Sequence, residues 1–120
     1  MKEMSRLTGL SVPEIRANRQ QVLESLTEEW NVTCVLKDSR TLIGEAGKRT
    51  CVNTSGCQAL AKGGSGDVLC GVIAGLLAQG ISTFDAATLG TYIHGLSGET
   101  AAREKNRYSC LLYTSDAADE

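Results

Sequence analysis

Asn53-Thr54-Ser55-Gly56-Cys57-Gln58-Ala59-Leu60-Ala61-Lys62-Gly63-Gly64-Ser65-Gly66-Asp67-Val68-Leu69 passes from a polar, glycine-rich stretch straight into an apolar one. Residues 53–66 read as a loop, because clustered glycine and serine interrupt any regular period. Residues 67–79 carry Val68, Leu69, Val72, Ile73, Leu76 and Leu77 at helical spacing and stop at Gly80, a good helix terminator. Downstream, Ser82-Thr83-Phe84-Asp85 has the form of a capping box and opens a second helix running to about Lys105. Small residues along it (Ala86, Ala87, Gly90, Gly95, Gly98) imply close packing against a sheet or another helix. Upstream, Ser11-Val12-Pro13-Glu14 is another capping box with proline just inside the helix. Val12, Ile15, Val22, Leu23, Leu26 and Trp30 then predict one helix over roughly 12–29. Val32-Thr33-Cys34-Val35-Leu36 is β-branched and nearly all apolar, and reads as a buried strand. Lys37-Asp38-Ser39-Arg40 is a polar turn, Thr41-Leu42-Ile43 a returning strand and Thr50-Cys51-Val52 a further short one. Helix followed by strand predicts an α/β sheet with flanking helices.

The 120 residues are room for about one ordinary domain. No apolar run approaches the ~18 residues of a membrane span, and no secretory signal stands at the start. Twelve basic side chains against fourteen acidic ones exclude a strongly basic nucleic-acid binder. The expectation is therefore a chain with neither membrane nor nucleic-acid partners. Cysteines at 34, 51, 57, 70 and 110 show no C-x-x-C spacing, and the single histidine, His94, has none nearby. A zinc site and a disulfide framework are both disfavoured, so no metal ligand is assigned. Reduced thiols acting as small core residues in a cytoplasmic protein are expected instead.

The glycine run has a chemical reading. Consecutive glycines let backbone N–H groups converge on one concavity. A helix start adds unpaired N–H groups and a partial positive charge. Gly63, Gly64, Ser65 and Gly66 therefore form a candidate anion hole suited to phosphate. A carboxylate beside it would repel a resting phosphate. Asp67 makes chemical sense there if it takes a proton from an attacking hydroxyl. From these residues alone, Asp67 merely capping the helix is an equally good reading. Two other phosphate loops are excluded. Gly44 to Thr50 reads G-E-A-G-K-R-T, with the wrong glycine spacing for a Walker loop and Arg49 where Ser or Thr is needed. After Gly64-x-Gly66 the next glycine is Gly71, misplaced for a dinucleotide fingerprint.

Residues 53–69, continuing Cys70-Gly71-Val72-Ile73-Ala74-Gly75-Leu76-Leu77-Ala78-Gln79-Gly80, resemble the signature of the ADP-dependent NAD(P)H-hydrate dehydratases of the ribokinase-like superfamily. Lys2-Glu3-Met4-Ser5-Arg6-Leu7 and Tyr92-Ile93-His94-Gly95-Leu96-Ser97-Gly98-Glu99 resemble further segments of that family. The resemblance covers roughly residues 1–105. It implies a ribokinase-like α/β sheet with flanking helices, of which this chain is the C-terminal half. It implies dehydration of the S epimer of hydrated NADH or NADPH, driven by phosphoryl transfer from ADP (ATP in some relatives), with Mg2+ accompanying the nucleotide. Asp67 would contact substrate and act as base, Gly66 would contact nucleotide, and the amides of residues 64–66 would stabilise the phosphoryl group in flight. Lys37-Asp38-Ser39-Arg40-Thr41 resembles the family's nucleotide-binding K-G-x-x-T turn, with Asp38 in place of glycine, and Cys57 stands where many relatives carry asparagine. Without the resemblance, Lys37 and Arg40 are plain solvated turn charges.

His94 reads as a packed helix histidine rather than a catalyst. The last eleven residues, from Cys110, resemble read-through of a sequencing adapter and are expected to be foreign to the fold. That leaves residues 1–109 as a partial domain carrying twelve basic and eleven acidic side chains, net +1. The resemblance further implies that an epimerase domain is fused in many relatives, that a homo-oligomer is possible, and that the isolated fragment is inactive. Two alternatives remain at this point: a small-molecule kinase of the same superfamily, for a vitamin precursor or a sugar, and a non-catalytic nucleotide-binding fragment.

Overall fold

The computed structural model describes residues 1–55 and 65–108. The chain divides into two compact units, Met1–Asn53 and Thr54–Glu120.

The first unit holds three helices and a small sheet. Helix α1 (Lys2–Thr8) ends at Gly9, whose φ of 76° is left-handed and whose N–H bonds back to the Ser5 carbonyl. Helix α2 (Val12–Ala17) begins with the expected capping box: the Ser11 hydroxyl accepts from the Glu14 amide at 3.3 Å, and the Glu14 carboxylate accepts from the Ser11 amide at 3.2 Å. Helix α3 (Arg19–Trp30) follows after one residue. The single helix predicted over 12–29 is thus two. The break is at Asn18, whose backbone leaves the helical region (φ −136°, ψ 40°) while its side-chain amide donates to the Glu14 carbonyl at 3.3 Å. Asparagine competes with helical hydrogen bonding in this way, and apolar periodicity does not register it. Asn31, with φ of 53°, closes α3.

Strands β1 (Thr33–Leu36), β2 (Thr41–Glu45) and β3 (Cys51–Asn53) form one antiparallel sheet in the order β1-β2-β3. Thr33 faces Glu45 and Leu36 faces Leu42 across the first pair; Leu42 faces Val52 across the second. The buried strand is β2, not β1: Leu42, Ile43 and Gly44 are all buried, whereas only Leu36 is buried in β1. A strand flanked on both sides is better covered than an edge, and short-range composition does not reveal which strand is central. Met4, Ile15, Leu23, Leu26, Leu36 and Leu42 make the core of this unit. At Gly44 the sheet meets α3 closely: a methyl group there would lie 3.0 Å from the Leu23 side chain.

The second unit is built on a helix pair, α4 (Ser65–Ala78) and α5 (Thr83–Tyr108). The connection uses Gly80 as anticipated. Its φ is 89°, its amide bonds to the Leu77 carbonyl at 3.0 Å, and the Ile81 amide bonds to the Leu76 carbonyl at 3.3 Å. This is a Schellman closure, which satisfies two of the carbonyls a helix end leaves open. The helices touch at Gly90, where a methyl group would lie 2.7 Å from the Ile73 side chain. Leu69 of α4 and Ala86 and Ala87 of α5 are buried. Among the described residues no helix is long and apolar enough to cross a membrane.

Candidate functional site

Helix α4 starts at Ser65, two residues before the start read from the sequence, so Ser65, Gly66 and Asp67 are its first turn. The amides of a first turn have no partner inside the helix, and the helix dipole places partial positive charge there. Gly66 is half-buried and Asp67 is exposed. Among the described residues Asp67 forms no ion pair. An exposed carboxylate beside the amides of a helix's first turn can accept a proton from a hydroxyl while such amides receive an anionic group. Gly63 and Gly64 lie outside the described residues.

The segment that leads into this motif begins at Ser55, which rests on α5. Its hydroxyl donates to the Tyr92 carbonyl at 3.1 Å. A methyl group on Gly95 would lie 2.8 Å from the Ser55 backbone carbon and would overlap its side chain. The small residues of α5 therefore serve two neighbours. Gly90 admits α4, as expected, but Gly95 admits a loop residue rather than a helix or a sheet. Nothing in the spacing of glycines along a helix separates these two uses. His94 is 8% exposed on the same helix, in keeping with a packed histidine.

The other predicted site residues occupy the β1–β2 connection of the first unit. Lys37, Ser39 and Arg40 are exposed, Asp38 and Thr41 half-buried. The Asp38 carboxylate lies 3.5 Å from Arg16 Nε and 3.9 Å from an Arg19 guanidinium nitrogen. Arg19 also donates to the Arg40 carbonyl at 2.6 Å. Both arginines were missed in the sequence. They lie about twenty positions from Asp38, and no local pattern couples them to the turn. Residues 37–41 and residues 65–67 thus belong to different compact units, and each set is gathered within its own.

Among the described residues no three or more His, Cys, Asp or Glu side chains gather to hold a metal ion. Cys34, Cys51 and Cys70 are free thiols, and burial pushes the Cys34 thiol above its ordinary value. Cys57, Cys110 and the expected foreign tail lie outside the described residues.

Comparison with known proteins places this geometry in context. The chain is 39% identical over 109 residues to a bifunctional NAD(P)H-hydrate repair enzyme of Moorella thermoacetica, a match covering 91% of this chain and 21% of that relative. The chain therefore spans about a fifth of the length of that curated relative. Among solved structures it is similar to the ADP/ATP-dependent NAD(P)H-hydrate dehydratase of Bacillus subtilis co-crystallised with ATP and Mg2+, at a TM-score of 0.83 and 30% identity over 94% of this chain and 41% of that one. It is also similar to a ribokinase-like superfamily protein of Enterococcus faecalis V583, at a TM-score of 0.71 and 33% identity over 85% of this chain and 34% of that one. The α/β fold, a small antiparallel sheet flanked by helices, is thus related to ribokinase-like structures. The family model described as NAD(P)H-hydrate dehydratase matches residues 1–118, so this chain belongs to the NAD(P)H-hydrate dehydratase family.

Proposed function

We propose that residues 1–109 are the C-terminal half of an ADP-dependent dehydratase that restores NADH or NADPH from its hydrated S epimer. Hydroxide is a poor leaving group, so the hydroxyl is first phosphorylated. Asp67 takes the hydroxyl proton as the oxygen attacks the terminal phosphorus of ADP, and the bond to AMP breaks. Phosphate then leaves with the carbon–oxygen electron pair, a proton leaves the neighbouring ring carbon, and the double bond returns. The amides of Ser65 and Gly66, with those of Gly63 and Gly64, carry the negative charge of the phosphoryl group during transfer. Lys37, Asp38, Ser39, Arg40 and Thr41 form the nucleotide turn, and ATP can serve in place of ADP. Mg2+ would enter on the nucleotide's phosphate oxygens, where it neutralises charge; the described residues offer it no carboxylate cluster of their own. We place the protein in the cytoplasm, and the bifunctional relatives support a complete form with a fused epimerase domain.

The observation that carries this reading is the start of α4 at Ser65, which puts Asp67 in the first turn, exposed and unpaired among the described residues. Asp67→Asn in a protein carrying the complete domain tests it. We expect turnover of hydrated NADH with ADP to fall by about 10²–10⁴-fold, the usual worth of a positioned base. Binding of ADP, measured by calorimetric titration, should survive. Unchanged turnover would remove the proposed base. Net accumulation of a phosphorylated product, without NADH, would mark a small-molecule kinase instead. Nucleotide binding with no reaction in the unsubstituted protein would mark a binding module.

A further inference from the structure

The β1–β2 turn is held from outside. Among the described residues no backbone hydrogen bond is internal to residues 37–40. Two contacts from Arg19 take that place: its guanidinium donates to the Arg40 carbonyl at 2.6 Å and faces the Asp38 carboxylate at 3.9 Å. Arg19 is the first residue of α3, immediately after the break at Asn18. A cation at a helix N-terminus opposes the dipole, so this position is disfavoured unless an anion answers it. Asp38 is that anion. The side chains of Arg19 and Asp38 are 22% and 21% exposed, so their attraction is only partly screened, whereas Arg16 is 59% exposed and contributes less. Arg19 thereby fastens both the second residue of the turn and its fourth. Lys37 and Arg40 are left solvent-facing, with cationic side chains available to an anion.

We propose that Arg19 is a positioning residue for nucleotide binding: acting through Asp38 and the Arg40 carbonyl, it sets the shape in which residues 37–41 present themselves to the nucleotide. This rests on reading that turn as the nucleotide turn. A flexible turn must be ordered at the moment of binding, which costs affinity; a turn already ordered by Arg19 avoids that cost.

The test uses a protein carrying the complete domain, with ADP as the probe. Arg19→Ala should weaken ADP binding and raise its KM by about tenfold, with kcat changed by less than about twofold. Arg16→Ala should shift the same KM by less than about threefold, as exposed ion pairs do. Arg19→Lys keeps the charge and loses the planar fork, so it should fall between wild type and alanine. Asp38→Ala should weaken ADP binding in its own right, and the Arg19→Ala/Asp38→Ala double variant should be less impaired than the two single effects combined, because both act through one contact. Amide hydrogen exchange should quicken at residues 37–41 in Arg19→Ala while the core of α3 stays protected. An Arg19→Ala protein with unchanged ADP affinity and unchanged exchange overturns the proposal. Lys37→Ala separates the two readings. If Lys37→Ala weakens ADP binding and Arg19→Ala does not, the positioning role alone fails. If neither does, the turn is no nucleotide site and both readings fall.

Discussion

Gly95 shows how much one missing side chain decides. Any Cβ at this position of α5 runs into Ser55, the residue from which the chain enters its glycine-rich segment. Gly95→Ala should therefore push the entry of that segment away from α5. Overpacking of this kind costs about 1–3 kcal/mol, read as a lowered melting temperature. The kcat/KM of the complete enzyme should fall with it, since the residues proposed to handle the phosphoryl group follow in the same stretch. Adding Ser55→Gly removes the side-chain part of the overlap and should restore some of both. If Gly95→Ala leaves stability and kcat/KM untouched, the seat at Ser55 has no role. At this scale the place of Asp67 at the start of an apolar helix was readable in advance. Asp67 stood out because an acid beside a glycine run conflicts with a resting phosphate. The partners of Asp38 were not readable, because Arg16 and Arg19 meet it only through the fold, and covalent neighbours give no hint of them.

Helix ends and turns follow local rules, and these elements were legible for that reason. The Ser11–Glu14 box acts within four residues and the Gly80 stop within six, and both occur as read. What failed depended on competition or on distance. Asn18 divides a helix that apolar spacing would continue, and the central place of β2 depends on β3 pairing with it. Electrostatics of the elements yield a pH prediction. Hydrogen bonds from Ser11 hold the Glu14 carboxyl below its ordinary 4.5. Those from Gln20 and Thr50 do the same for Glu24 on α3. A carboxyl whose folded value is depressed adds stability that is complete above its unfolded value and is lost as pH falls through the folded one. Denaturant midpoints of the Met1–Asn53 unit should therefore hold steady above about pH 5 and decline below about pH 4.5. Glu14→Gln and Glu24→Gln together should flatten that decline, and an unaltered slope would show that other carboxylates dominate it.

At the scale of the whole chain, apolar surface remains uncovered. Val68, Leu77, Leu89, Tyr92, Ile93 and Leu96 of the second unit are each more than a third exposed. In the first unit Leu7 and Trp30 border an open groove of about 520 Å³. Helix α4 is apolar on every side, a pattern usual for helices enclosed by further structure. The solved relatives are more than twice as long as the part this chain matches. The 120-residue chain in isolation should then keep helical circular dichroism, bind a hydrophobic dye such as ANS, and fail to convert hydrated NADH with ADP. Sharp two-state unfolding without dye binding would show that the two units suffice for a closed fold. The architecture was foreseen as α/β, with β2 returning from β1 across the 37–40 turn, but the antiparallel pairing of β3 with β2 was not. Strand direction depends on which segments neighbour one another, and an isolated run of β-branched residues is silent on that.

The tight reversal at Gly80 has a consequence for how the protein comes into being. Only residues 79–82 separate α4 from α5, so bringing the pair together sacrifices little chain freedom. Contacts this near in sequence form early and fast. During synthesis the hairpin can zip from its glycine end as soon as it leaves the ribosome, by which time the Met1–Asn53 unit has already emerged.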